Sequence, residues 1–189
     1  MNYNESKETV LQLLPTDDAI LQLAEECVEL SKEFLIFNNT ERRMPTGVMP
    51  TWAIEEAADV ELVAEVLLDK MYAAYDKRIL HSMVGSILIV VKGLGLIHIK
   101  ESLHEVCHDL AKAALKLRRA RSGYNPTLIT VEGAREMLLC HISMVVALDT
   151  ILFNGEAREQ MKKIKEQKME RWAMRLKGET EDGNDLQQD

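Results

Sequence analysis

Apolar positions recur along nearly the whole chain three and four residues apart, the spacing of one helix face, and no stretch alternates apolar with polar between Asn-Gly or Asp-Gly turns. The pattern predicts an all-α fold. A short turn over Glu8 to Leu14 ends at Pro15, and Thr16 and Asp17 then offer caps for a long helix reaching about Asn38. Asn39 to Pro50, with Pro45, Gly47 and Pro50, reads as a loop. A second long helix starts near Thr51, whose hydroxyl would cap it ahead of acids in the first turn. Ile79 to Ile97 reads as a buried helix broken by its glycines, and Glu101 to Arg121 as a helix ended by Ser122-Gly123-Tyr124-Asn125-Pro126. Val131 to Phe153 is apolar nearly all round, as a central buried helix would be. Asn154-Gly155 breaks it, Glu156 to Lys177 forms a charged helix, and the polar, acidic tail 178–189 is expected to be disordered.

One helix departs from a simple apolar stripe. From Trp52 to Met71, at about 100° per residue, Trp52, Val60, Val63, Val66 and Leu67 share a sector, and Glu56 and Asp59 fall inside it. Glu55, Glu61, Glu65 and Asp69 point away from that sector. Unpaired carboxylates on a burying stripe are strongly unfavourable, so a cation is expected to meet them. The preceding helix carries a matching pair, Glu26-x-x-Glu29, lying away from its own stripe of Leu23, Cys27, Leu30 and Phe34.

A weak internal repeat underlies the pattern. Leu23-Ala24-Glu25-Glu26-Cys27-Val28-Glu29-Leu30-Ser31-Lys32 aligns without gaps on Leu103-His104-Glu105-Val106-Cys107-His108-Asp109-Leu110-Ala111-Lys112. In each half a Pro-bearing loop and an apolar helix follow, which suggests two fused helical hairpins arranged like a homodimer joined end to end. Repeat one would cover about 16–76, repeat two about 79–153, and a closing helix about 156–177, all within a single domain, 1–177. The halves are unequal, because Val106 stands at the position of Glu26 and Leu139 at that of Asp59.

Composition narrows the partners. At 189 residues the chain can bury an ordinary core, and its net charge of −8 argues against a nucleic-acid groove. Cys27, Cys107 and Cys140 lack a Cys-x-x-Cys spacing and lie in helical, mainly apolar stretches, so reduced core thiols in a cytoplasm are expected. The start, Met1 to Lys7, is polar and shows no signal peptide, and the longest apolar run, Ile87 to Ile99, is too short and interrupted to span a bilayer.

Residues three apart on a helix stand on adjacent turns of nearly one face, so each acidic pair makes a two-carboxylate prong. Brought together by antiparallel helices, the prongs would repel in low dielectric, whereas hard divalent cations reverse that sign. Magnesium suits such an oxygen-only ligand set and keeps positions open for phosphate oxygens.

Leu23-Ala24-Glu25-Glu26-Cys27-Val28-Glu29-Leu30, followed by Glu55-Glu56-Ala57-Ala58-Asp59-Val60, resembles the signature of the all-α nucleoside triphosphate pyrophosphatases, the superfamily that includes MazG and the dimeric dUTPases. The resemblance covers residues 20–68. It implies a MazG-like helical bundle and magnesium-dependent hydrolysis of a nucleoside triphosphate, in particular a deoxynucleotide, to the monophosphate and pyrophosphate. Glu26, Glu29, Glu56 and Asp59 would hold magnesium, and Glu25 would orient the water. The family's closing helix is partly echoed by Lys168-Met169-Glu170-Arg171-Trp172-Ala173-Met174-Arg175-Leu176, which makes Lys168 and Arg175 candidates for substrate phosphates. Trp52 is a candidate for stacking a base, with helix packing as its plainer role.

Two competing readings remain at this level. A helical binding or assembly protein could use the same scaffold without turnover. His104-Glu105-Val106-Cys107-His108 also matches the His-Glu-x-x-His of zinc metallopeptidases, although Asp109 follows directly and no strand is apparent to hold a peptide. The sequence leaves open whether the fusion replaces dimerisation or sits on top of it, with the fused chain as a homodimer.

Overall fold

A computed structural model describes residues 1–41, 49–72, 74–126 and 128–178, without the side chains of 37–41, 74–77 and 96. Among the described residues there are seven helices and no strand: α1 Tyr3–Leu13, α2 Thr16–Glu41, α3 Thr51–Met71, α4 Ala74–Val91, α5 Leu96–Ser122, α6 Val131–Leu152 and α7 Glu156–Lys177. The expected loop at Asn39 to Pro50 falls largely outside them, as does the tail beyond Gly178.

The first segment is a full helix rather than a short turn, for a local reason. Asn2 accepts from the Glu5 N–H at 3.0 Å while the Glu5 carboxylate accepts from the Asn2 N–H at 3.0 Å, a reciprocal cap that starts α1 well before Glu8. So short a helix is marginal alone and is held from α3. Tyr3 donates its hydroxyl to Glu65 at 3.0 Å, and Lys7 bridges Glu65 at 2.6 Å and Asp69 at 2.5 Å. α3 does not use the Thr51 hydroxyl as its cap. Pro50, extended at φ −71°, takes the capping position, and its carbonyl accepts from the N–H groups of Ala53 and Ile54. α5 ends at Gly123, where φ is +76° and the absence of a Cβ removes the strain of the left-handed turn.

α2 packs against both α3 and α5, α5 against α6, α4 against α6, and α7 against α1 and α3. Arg121 pairs with Asp17 at 2.6 Å near one end of the α2–α5 contact and Ser31 meets His104 further along, so α2 and α5 run antiparallel. One buried cluster draws on all seven helices, and Phe34 meets Phe153 edge to face with ring centres 6.3 Å apart. The end of α3 is fastened to α6: Tyr72 donates to the Arg135 carbonyl at 2.6 Å, and the Arg135 guanidinium bonds the Met71 carbonyl and lies 4.9 Å from the Tyr72 ring centre.

Two further expectations are corrected. Ile79 to Ile97 is broken as anticipated, at Lys92 to Gly95, but it is not buried: Ile89 is 77% exposed and Val90 73%, because α4 packs chiefly on α6 and leaves its far side open. Glu61 does not face water either. It is 7% exposed, because α7 covers that side of α3 and supplies Arg158 at 2.5 Å and Lys165 at 3.4 Å. Cys27 and Cys107 are buried and Cys140 half-buried, all as free thiols. No helix among the described residues is long and apolar enough to cross a membrane.

Candidate metal centre

Gln22, Glu26, Glu29 and Glu33 recur at three- and four-residue steps on α2 and so share one helix side. α3 lies against α2 and presents Glu56 and Asp59 from adjacent turns. Glu26, Glu29 and Glu56 each bring a carboxylate oxygen to within 4.8 Å of the other two. Glu26 and Glu56 are half-buried and Glu29 is exposed, so the cluster is walled on one side and open to solvent on the other. Asp59 is held differently: its carboxylate is bonded by Lys168 of α7.

The electrostatics are those of crowded like charges. Burial, followed by the charge of Asp59 and then those of Glu29 and Glu56, pushes the Glu26 carboxyl up to about 7, against an opposing hydrogen bond from Gln22. Glu56 is raised by burial, then by Asp59 and Glu29, with Lys168 opposing. Burial also raises Asp59, in spite of its bond to Lys168. Lys168 thus brings a single positive charge to four acids. One Glu56 oxygen, Oε2, is buried with no hydrogen-bond partner, a state that costs about 1–3 kcal/mol unless something cationic or donating meets it. An oxygen-only donor set, an orphaned carboxylate oxygen and an open side together fit a hard divalent cation such as magnesium.

The other candidate residues are placed as follows. Glu25 neighbours Glu26 on α2 but is exposed and stands outside the group of three converging oxygens. Trp52 lies one turn before Glu56, half-buried and packed against the core. Lys168 is engaged by Asp59, and Arg175 is exposed two turns further along α7. His104 Nδ1 is 2.8 Å from the Ser31 carbonyl oxygen, the Ser31 hydroxyl donates to the His104 carbonyl at 3.2 Å, and Glu105 and His108 are exposed. Among the described residues neither histidine belongs to a group of three converging ligand atoms.

Sequence reasoning passed over Glu33 and Gln22. Glu33 bears electrostatically on Glu56, and Gln22 bonds Glu26. Their spacing of seven and minus four from Glu26 was the available signal. It also missed Asp149, which is fully buried near Glu61, Arg158 and Lys165, with neither carboxylate oxygen hydrogen-bonded. Burial and the Glu61 charge hold that carboxyl well above the usual carboxylate range. Beside this second cluster, a cavity of about 300 Å³ is lined by Tyr3, Glu61, Glu65, Arg158 and Lys165, with acids and cations in near balance.

No family model, curated protein or solved structure matches the chain.

Proposed function

We propose that this chain is a magnesium-dependent nucleoside triphosphate pyrophosphohydrolase, converting a nucleoside triphosphate, in particular a deoxynucleotide, and water to the monophosphate and pyrophosphate. The observation that carries the reading is the convergence of Glu26, Glu29 and Glu56 within 4.8 Å across two helices, with Asp59 electrostatically joined to them and a Glu56 oxygen left without a partner. A purely structural network would satisfy that oxygen, and a solvated acidic face would not bury it.

The packing is consistent with the two-hairpin arrangement. α2 with α3 and α5 with α6 are the paired helices, α2 lies antiparallel on α5, and Cys27 and Cys107, aligned by the repeat, lie close enough to bear on one another electrostatically. Contact between equivalent positions is what a pseudo-two-fold axis produces. Val106 and Leu139 in the second half then explain why one half carries the acids.

A divalent cation would supply charge neutralisation and alignment for the triphosphate oxygens. The chain's own residues do the remaining work. Glu26, Glu29, Glu56 and Asp59 hold the cation, and Glu25, at the solvent edge, orients water toward the phosphorus whose bridging P–O bond breaks to release pyrophosphate. Lys168 and Arg175, two turns apart on α7, meet phosphate oxygens, and Trp52 borders the nucleoside.

The test is a panel of ribo- and deoxynucleoside triphosphates with magnesium, scored for pyrophosphate release. The reading expects release that falls by at least about 100-fold in Glu56→Gln. No release from any triphosphate would instead favour a binding or assembly protein on this scaffold.

A further inference from the structure

Asp59 is the one acid of the four that does not reach the converging oxygens. Its charge bears on Glu26 more than that of Glu29 or Glu56, yet the carboxylate oxygens within 4.8 Å of one another come from Glu26, Glu29 and Glu56. Asp59 is turned instead to Lys168, whose ammonium bonds Asp59 Oδ2 from the α7 side. The pair is largely enclosed, with 26% of the Lys168 side chain and 17% of the Asp59 side chain exposed. The same ammonium opposes the upward shifts of both Asp59 and Glu56. One lysine thus holds the fourth acid aside and supplies positive charge to the others.

An Asp59 bonded to both would carry a doubly charged ion and an ammonium on one carboxylate, and like charges so close repel strongly where solvent is partly excluded. Two charges shared among four carboxylates outweigh one charge held chiefly by Asp59, so the exchange favours the ion. Only the end of Lys168 has to move. α7 stays fastened to α3 through Arg158 and Glu61 at 2.5 Å and through Lys165, which lies 3.4 Å from Glu61 and 3.0 Å from Glu65. Met161, Met169 and Ala173 of α7 are buried as well. The flexible four-carbon stem of a lysine lets Nζ swing while its Cα stays in place, and the rotamer freedom regained favours release. An ammonium released from Asp59 remains beside the cluster, where the proposed function places triphosphate oxygens.

Resting on that metal reading, we infer that Lys168 competes with the divalent ion for Asp59: its ammonium withholds the fourth ligand, is displaced as the ion binds, and so sets the metal affinity of the site. The contrary role is that of a positioning residue, in which Lys168 holds one Asp59 oxygen so that the other can ligate. The two roles differ in the sign of what removing Lys168 does.

Manganese, a paramagnetic stand-in for magnesium, reads that sign through its free-ion resonance, without reference to activity. Breaking the Lys168–Asp59 bond is work the ion must do in the wild type, so Lys168→Met should bind manganese about tenfold more tightly. Lys168→Gln should tighten binding likewise, because it too lacks the charge, and Lys168→Arg should not, because it keeps it. Lys163→Met, which removes an exposed charge elsewhere on α7, should stay within about twofold of the wild type. Far-UV circular dichroism should be unchanged in all four. Equal or weaker binding in Lys168→Met, or wild-type affinity restored by Lys168→Gln, would overturn the inference and leave the metal reading standing so long as the wild type binds saturably. Equal tightening in Lys163→Met would overturn it as well, since net charge alone would then account for the effect. Absence of saturable binding in every chain would overturn both the metal reading and this inference.

Discussion

Replacing Glu26 with glutamine removes one charge from the acidic cluster while keeping the side chain's shape. The carboxyl is raised to about 7 from an ordinary 4.5, an interval of about 2.5 pH units at about 1.4 kcal/mol each, or about 3.4 kcal/mol. Because Glu26 is only partly shielded from solvent, screening reduces this to about 1–2 kcal/mol. The sign follows from proton uptake. Below about pH 4.5 the folded and unfolded chains both hold the proton and Glu26 exerts no penalty; as pH rises toward 7 the unfolded chain releases it first, so wild-type stability falls, and above 7 the loss is complete. Glu26→Gln should therefore stabilise the metal-free protein by about 1–2 kcal/mol at about pH 8, moving the urea midpoint up by roughly 0.5–1 M, and have no such effect at about pH 4. Magnesium should reverse the order, stabilising the wild type by mass action and the variant far less. Urea titrations monitored by circular dichroism, with chelator and with magnesium, measure all four conditions. A variant less stable than wild type without metal at about pH 8, or equally shifted at both pH values, would refute the reasoning.

The remaining predictions concern the neighbours of this cluster. Lys168→Met leaves Asp59 without its cation, so metal-free stability should drop by about 1–2 kcal/mol near neutral pH, with the difference closing on acidification as Asp59 takes up its proton; the same titrations read it. Asp149→Asn should flatten the fall of stability that sets in as pH rises past the ordinary carboxylate range, because there the unfolded wild-type chain releases the Asp149 proton while burial keeps it on the folded one. Thermal melts from the acid range upward check this, and an unchanged profile would show that the buried group does not titrate with unfolding.

Helix class and most helix positions were legible because apolar spacing and breakers act locally: Glu156 to Lys177 and the break after Phe153 fall where the pattern put them. The pairing of Glu26 and Glu29 with Glu56 and Asp59 was legible from acids standing on or near burying faces at one-turn spacing. What the pattern could not carry was which far segment covers which face. Glu61, Glu65 and Asp69 look solvated on α3 until α7 and α1 close over them, and α4 looks like core until α6 proves to be its chief partner. The contact of Lys168 with Asp59 was out of reach for a similar reason: it joins residues more than a hundred positions apart, which helical period cannot see. The cap at Asn2 and Glu5, by contrast, was plainly written in the sequence and is what lengthens α1.

Everything functional rests on the acids of α2 and α3 gripping a divalent ion, and manganese, which takes the same oxygen ligands as magnesium and is paramagnetic, reports that directly. Titrated into metal-stripped protein and followed by the loss of the free-ion resonance, manganese should bind saturably, be displaced by magnesium, and fail to bind to Glu56→Gln. Absence of saturable binding, or binding that is the same in Glu56→Gln as in the wild type, would contradict the account.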